Sequence, residues 1–126
     1  MAKLQNNFTT PEQSKKLLEL GVPILTSDCY FYIQEINGRN VCDTPNLIPY
    51  GIGEYGLRHW WTNRNNARYI PCWSAGRLIE IVDLCTTRIA GEAISCTENY
   101  VVALIVAIEM AVNEDDIDFS KLELNN

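Results

Sequence analysis

The sequence predicts a single α+β domain, in which a small antiparallel sheet of two hairpins packs with about three helices. Three observations predict it. The 126 residues suit one domain, residues 1–126, and fall short of two. Helix start and stop signals bracket three segments, near 11–20, 74–85 and 97–112. Between them lie aromatic and β-branched runs broken by turn residues. Composition agrees, since 47% hydrophobic and 21% charged is ordinary globular usage.

The first helix has the clearest signals. In Thr10-Pro11-Glu12-Gln13, Thr10 is a cap residue, Pro11 suits the first helical position and Gln13 completes a capping box. Leu17, Leu18 and Leu20 form its apolar side, with Lys15, Lys16 and Glu19 facing water. Gly21 supplies the left-handed residue that closes it, and Pro23 prevents continuation. Residues 28–36 then read as a strand, and Asn37-Gly38 as a hairpin turn returning through Arg39 to Cys42. Residues 43–56 hold two prolines and three glycines and read as loop.

A second hairpin is expected from residues 57–62 and 67–70 around the turn 63–66, with Pro71 ending it. Ser74 caps the next helix, to about Cys85, whose apolar face is Leu78, Ile79, Ile81, Val82 and Cys85. Gly76 in its first turn costs about 1 kcal/mol of propensity and signals either close packing or simple tolerance. Thr97 is read as the cap of the last helix, with Glu98 complementing the dipole. Residues 100–108 are apolar on nearly every side, so this helix is either central to the core or covered by another subunit. Glu109 interrupts it and is expected to reach solvent or find a partner. Phe119 and Leu122 are placed to pin the closing tail.

Charge and cysteine usage narrow the function classes. A net charge of −6 argues against a main task of gripping phosphate backbones, so nucleic acid is not the expected partner. The start of the chain shows no signal-peptide pattern, and the longest apolar run, nine residues, is under half a membrane span. A cytoplasmic protein with no membrane association is the expectation. The five cysteines, Cys29, Cys42, Cys72, Cys85 and Cys96, are odd in number and include no Cys-x-x-Cys pair, as suits reduced thiols. With His59 the sole histidine, no zinc site and no cofactor is expected.

Four patterns bear on chemistry. Residues 51–56 match G-x-G-x-x-G, but no buried strand precedes them and no helix opens from them, so they read as a glycine-rich loop. The segment 58–69 interleaves cations and aromatics, and Arg58, His59, Trp60, Trp61, Arg64 and Arg68 are its candidate binding residues. Set as an alternating strand, it points one tryptophan inward and leaves the other at the surface. Cys72, just before a helix N-terminus, is a candidate nucleophile with His59 as base, although cysteine is more often a buried hydrophobe. The Glu80/Asp83 pair and the cluster Glu114, Asp115, Asp116 and Asp118 lack the spacing of a calcium loop and read as solvated surface.

The runs 8–23, 70–78 and 117–122 together resemble a family of small proteins encoded by gut anaerobic bacteria and by their phages or integrated elements. The resemblance covers most of the chain in order and is weakest over 35–65. The family carries no assigned activity, so it implies a phage or mobile-element setting and no functional residue. In the motif Pro71-Cys72-Trp73-Ser74, Trp73 precedes the cap as a hydrophobic staple on Arg77 or Leu78.

The expected function is a non-enzymatic accessory or protein-interaction module of a phage or mobile element. An unidentified protein is one candidate partner, and a second copy docking through the 98–112 helix is another, with Ile105→Asp expected to break that association. One alternative is a weak single-stranded nucleic-acid binder acting through 58–69; another is a small cysteine-dependent enzyme.

Overall fold

The computed structural model describes residues 7–42, 44–49, 56–64, 68–95 and 97–122, and the fold is α+β: five α-helices and two small antiparallel sheets among those residues. Helix α1 spans Pro11–Glu19. The Thr10 hydroxyl accepts from the Gln13 N–H at 3.1 Å while the Gln13 side chain accepts from the Thr10 N–H at 2.9 Å, so the capping box is complete. At the other end Gly21 takes φ +97°, and the Gly21 and Val22 N–H groups donate back to Leu18 and Leu17. This is the Schellman closure the glycine predicts. Leu17 is fully buried, Leu20 is half-buried, and Leu18 faces solvent.

The run 28–36 divides into two strands. β1 (Cys29–Tyr32) is the centre of a three-stranded sheet, with β4 (Asn46–Leu47) on one side and β5 (Tyr69–Cys72) on the other. β2 (Gln34–Ile36) pairs only with β3 (Arg39–Val41), through a turn with φ +55° at Asn37 and +79° at Gly38. Both central residues lie in the left-handed region that a type I′ hairpin requires. Every residue of β2 is exposed, so this hairpin stands off the core.

β1 and β5 pair antiparallel, with Cys29 opposite Cys72 and Tyr30 opposite Pro71. The Ile33 N–H donates to the Arg68 carbonyl at 2.8 Å, which makes 33/68, 31/70 and 29/72 the hydrogen-bonded pairs of this ladder. Pro71 therefore lies at a non-hydrogen-bonded position of an edge strand, with its nitrogen facing away from β1. That is why proline is tolerated inside the strand instead of ending it.

Two expectations are corrected here. Residues Asn46–Leu47 of the predicted loop form β4. The predicted second hairpin does not form, because Leu57–Arg64 is helix α2 and β5 pairs with β1. Leu57, Trp60 and Trp61 recur at i, i+3 and i+4, and a helix buries all three against Ile48, Tyr30 and Tyr69. A strand would have buried one tryptophan and stranded the other. The glycine-rich run 51–55, the turn residues 65–67 and Cys96 lie outside the described residues.

The main core lies among the remaining helices. α3 (Ala75–Cys85) is capped by the Ser74 hydroxyl, which accepts from the Arg77 N–H at 3.1 Å. Gly76 is exposed, and an added Cβ would meet only Ser74 Oγ at 3.9 Å, so its presence reflects tolerance. α4 (Ala90–Ile94) was not expected; its first N–H, at Ala90, is met by the Asp83 carboxylate at 2.8 Å. α5 (Tyr100–Asn113) begins two residues later than predicted, since Asn99 is its cap and Thr97 accepts from the Asn99 N–H. Leu17, Trp73, Leu78, Val101, Leu104 and Ile108 form the centre of this core, and Leu122 closes it with Phe119 packed alongside.

A buried polar seam fastens sheet to helices. The Thr9 hydroxyl accepts from the Trp73 N–H at 3.0 Å and lies 2.7 Å from the Ser14 hydroxyl. The Asp28 carboxylate accepts from the Ser74 N–H and hydroxyl at 2.9 and 2.6 Å, at the positive end of α3. The Trp73 indole donates to Thr26 Oγ1, and Arg77 Nε to the Thr26 carbonyl.

Candidate functional site

The structure separates the three candidate sites that the sequence suggests. In the 58–69 segment, α2 turns both tryptophans inward: Trp60 is 8% exposed and Trp61 1%. Trp61 donates its indole N–H to the Ser27 carbonyl, and Trp60 stacks edge-on against Trp61 and Tyr69 with Tyr30 at 4.7 Å. Arg64 lies over the Trp60 ring, 4.6 Å from its centroid, a cation–π contact that employs this cation within the fold. Arg68 donates to the Ile33 carbonyl at 3.1 Å, while Arg58 and His59 are exposed on α2. The cations are thus distributed around a buried aromatic cluster, without the exposed tryptophan that a strand would have presented.

Cys72 is completely buried; its thiol donates to the Thr9 carbonyl at 3.4 Å, and His59 sits on the outer side of α2. Cys29, directly opposite, is held far above the ordinary thiol range by its hydrogen bond with Cys72, by burial and by the Asp28 charge beside it. Burial, helped by the negative charge of Asp118, also pushes the Cys85 thiol up. Such thiols behave as small core hydrophobes and present no nucleophile to solvent.

The carboxylates have internal tasks. Glu80 pairs with Arg77 at 2.9 Å, Glu114 with Arg88 at 2.7 Å and Glu109 with Lys16 at 3.2 Å. Asp116 accepts from the Thr87 hydroxyl, and Asp118 from the Ser120 hydroxyl and N–H, which hold its carboxyl below the usual range. Among the described residues no group of three or more His, Cys, Asp or Glu is placed to hold a metal ion. No helix among them is long and apolar enough to cross a membrane.

What sequence reasoning missed is how α5 divides. Val101, Leu104, Ile105, Ala107, Ile108 and Ala111 point into the core, while Val102, Val106 and Met110 stand 42%, 46% and 43% exposed. Ile105 is buried, so Ile105→Asp would damage the core and is the wrong probe of this helix's outer face. The outer stripe borders a groove of about 470 Å³ between α4 and α5, floored by Ala93, Ala103 and Ala107, with Ile89 on its far rim at 56% exposed. The sequence signals for the surface side are sparse, polar punctuation by Asn99, Glu109 and Asn113, because the other residues of this stretch are almost uniformly apolar. The chain matches no protein-family model, no curated protein and no solved structure.

Proposed function

We propose that this chain is a protein-interaction module, without chemistry of its own, that docks through the apolar α4–α5 face. The resemblance of the runs 8–23, 70–78 and 117–122 to small proteins of phages and integrated elements is what favours an accessory role in such an element. One observation carries the docking reading: Val102, Val106 and Met110 form a half-exposed apolar stripe along α5, with the exposed Ile89 across the groove from it. Scattered single hydrophobics are ordinary on a surface, whereas a continuous stripe beside a groove marks an interaction site. Covering each of these half-exposed side chains stabilises a complex by about 1 kcal/mol or more, using about 25 cal/mol per Å².

A photoreactive amino acid placed at position 106 tests this in cells. The expected result is a discrete cross-linked species that is absent when the same group replaces Leu47, an exposed side chain on the sheet. Equal labelling at both positions, or none at 106, would remove the docking reading.

A further inference from the structure

We infer that Cys29 and Cys72 are a redox-sensitive pair, which a small-molecule disulfide such as oxidised glutathione converts into a cross-strand bridge when the segment 7–9 opens. The two residues lie directly opposite each other on β1 and β5, at a hydrogen-bonded position of the ladder. Residues so placed have Cα atoms about 5.5 Å apart, inside the span of about 4.4–6.8 Å that a disulfide bridges. Both side chains point to one face of the sheet, and the thiols hydrogen-bond to each other. Both are free and completely buried. Opposite Cβ atoms in a sheet stand about 4.5–5.5 Å apart and must close to about 3.8 Å, so the bridge carries strain. Strained bridges are the readily reduced ones, which makes the change reversible.

Access runs through the strap formed by residues 7–9, antiparallel to 73–75. The Thr9 N–H donates to the Trp73 carbonyl at 3.0 Å, the Ala75 N–H to the Asn7 carbonyl at 2.8 Å, and Phe8 pairs with Ser74. The strap sets the Thr9 carbonyl 3.4 Å and the Thr9 hydroxyl 3.6 Å from the Cys72 sulfur, and Phe8 packs on the same cluster. Closed, it hides both thiols from solvent. A few hydrogen bonds and one half-buried ring fasten it, so it opens at lower cost than the helical core.

The exchange balances with the external disulfide as sole oxidant. With the strap open, Cys72 gives its proton to water and its sulfur attacks the external disulfide, releasing one small thiolate. Cys29 then attacks the Cys72 sulfur of the mixed disulfide, and its proton passes to Asp28 Oδ1, which accepts from that thiol at 3.4 Å. The second small thiolate leaves and takes up this proton, as the first takes one from water. Two protein thiols have then lost two protons and two electrons, and the external S–S bond has become two thiols.

Incubation of the full chain in mixtures of oxidised and reduced glutathione, followed by acid quenching, alkylation and peptide mass mapping, tests it. The expected result is loss of two of the five alkylatable thiols, with the Cys29 and Cys72 peptides joined and the loss reversed by excess reduced glutathione. A bridge to Cys42, Cys85 or Cys96 instead, glutathione adducts alone, or no reaction overturns the pair. Phe8→Ala is expected to speed bridging about 10-fold by removing half-buried apolar surface from the strap, with Cys85, buried in the helical core, alkylated no faster. If Cys85 labelling rises in step, opening is global and the strap is not the gate. Should Phe8→Ala fail to fold, alkylation of the reduced wild type decides: Cys72 is expected to react faster than Cys85, and equal rates overturn the gate.

Discussion

Replacing Thr9 by valine keeps shape and volume nearly constant and deletes one hydroxyl, which makes it a direct test of the buried seam between α1, β5 and α3. The hydroxyl is completely enclosed, accepts the Trp73 backbone N–H at 3.0 Å, meets Ser14 Oγ at 2.7 Å and reaches Cys72 Sγ at 3.6 Å. Valine leaves the Trp73 N–H buried without its acceptor, which costs about 1–3 kcal/mol, and the loss of the Ser14 partner adds about 1 kcal/mol. The expected destabilisation is therefore about 3 kcal/mol out of a total of about 5–15 kcal/mol for a domain. At about 2.1 cal/mol/K of unfolding entropy per residue, this lowers Tm by about 10 °C. Thr9→Ser keeps the oxygen, loses one methyl and is expected to cost about 1 kcal/mol. Urea unfolding with an unchanged m-value reads both. Because Ser14 is orphaned by Thr9→Val, adding Ser14→Ala is expected to cost less in that background than in the wild type. Equal stabilities for Thr9→Val and Thr9→Ser, or strict additivity with Ser14→Ala, would refute the reasoning.

Three further outcomes follow from other parts of the fold. Gly21→Ala forces a Cβ onto a residue at φ +97° and is expected to cost about 1–2 kcal/mol in urea unfolding, although the space around it is open. All three tryptophans are buried, so their emission is expected to be blue-shifted, to resist iodide quenching and to stay unchanged when single-stranded oligonucleotide is added at low salt. A salt-sensitive quench would instead revive the 58–69 segment as a binding surface. The Asp118 carboxyl, lowered from 3.8 by the Ser120 hydroxyl and N–H, contributes stability above that value and loses it as pH falls through the folded-state pKa. Carboxyl NMR titration of Ser120→Ala is therefore expected to show Asp118 titrating at higher pH than in the wild type, and no movement would exclude the hydroxyl as the cause.

The candidate sites fared differently from the elements in what the sequence showed of them. The stretch 57–64 carried two signals that disagree: aromatic content favouring a strand, and the 57/60/61 spacing favouring a helix. Burial of both tryptophans decided for the helix and removed the exposed ring that a nucleic-acid surface would have used. Cys72 looked poised near a helix N-terminus, yet its strand partner Cys29 and the Thr9 segment enclose it. Neither contact is visible from neighbouring residues, since Thr9 and Cys72 lie 63 positions apart.

By itself the sequence determined the features encoded in bonds between residues three to five positions apart: the capping box at Thr10, the closure at Gly21, the Asn37-Gly38 turn and the Ser74 cap. Tertiary structure alone decided which side of α5 meets the core, that Pro71 sits inside an edge strand, and that Asp83 starts α4. Local signals persist because the groups that satisfy them travel together along the chain. A face is buried only when a distant segment covers it, and α5 is so evenly apolar that its own residues leave that choice to Leu17, Trp73 and Leu78.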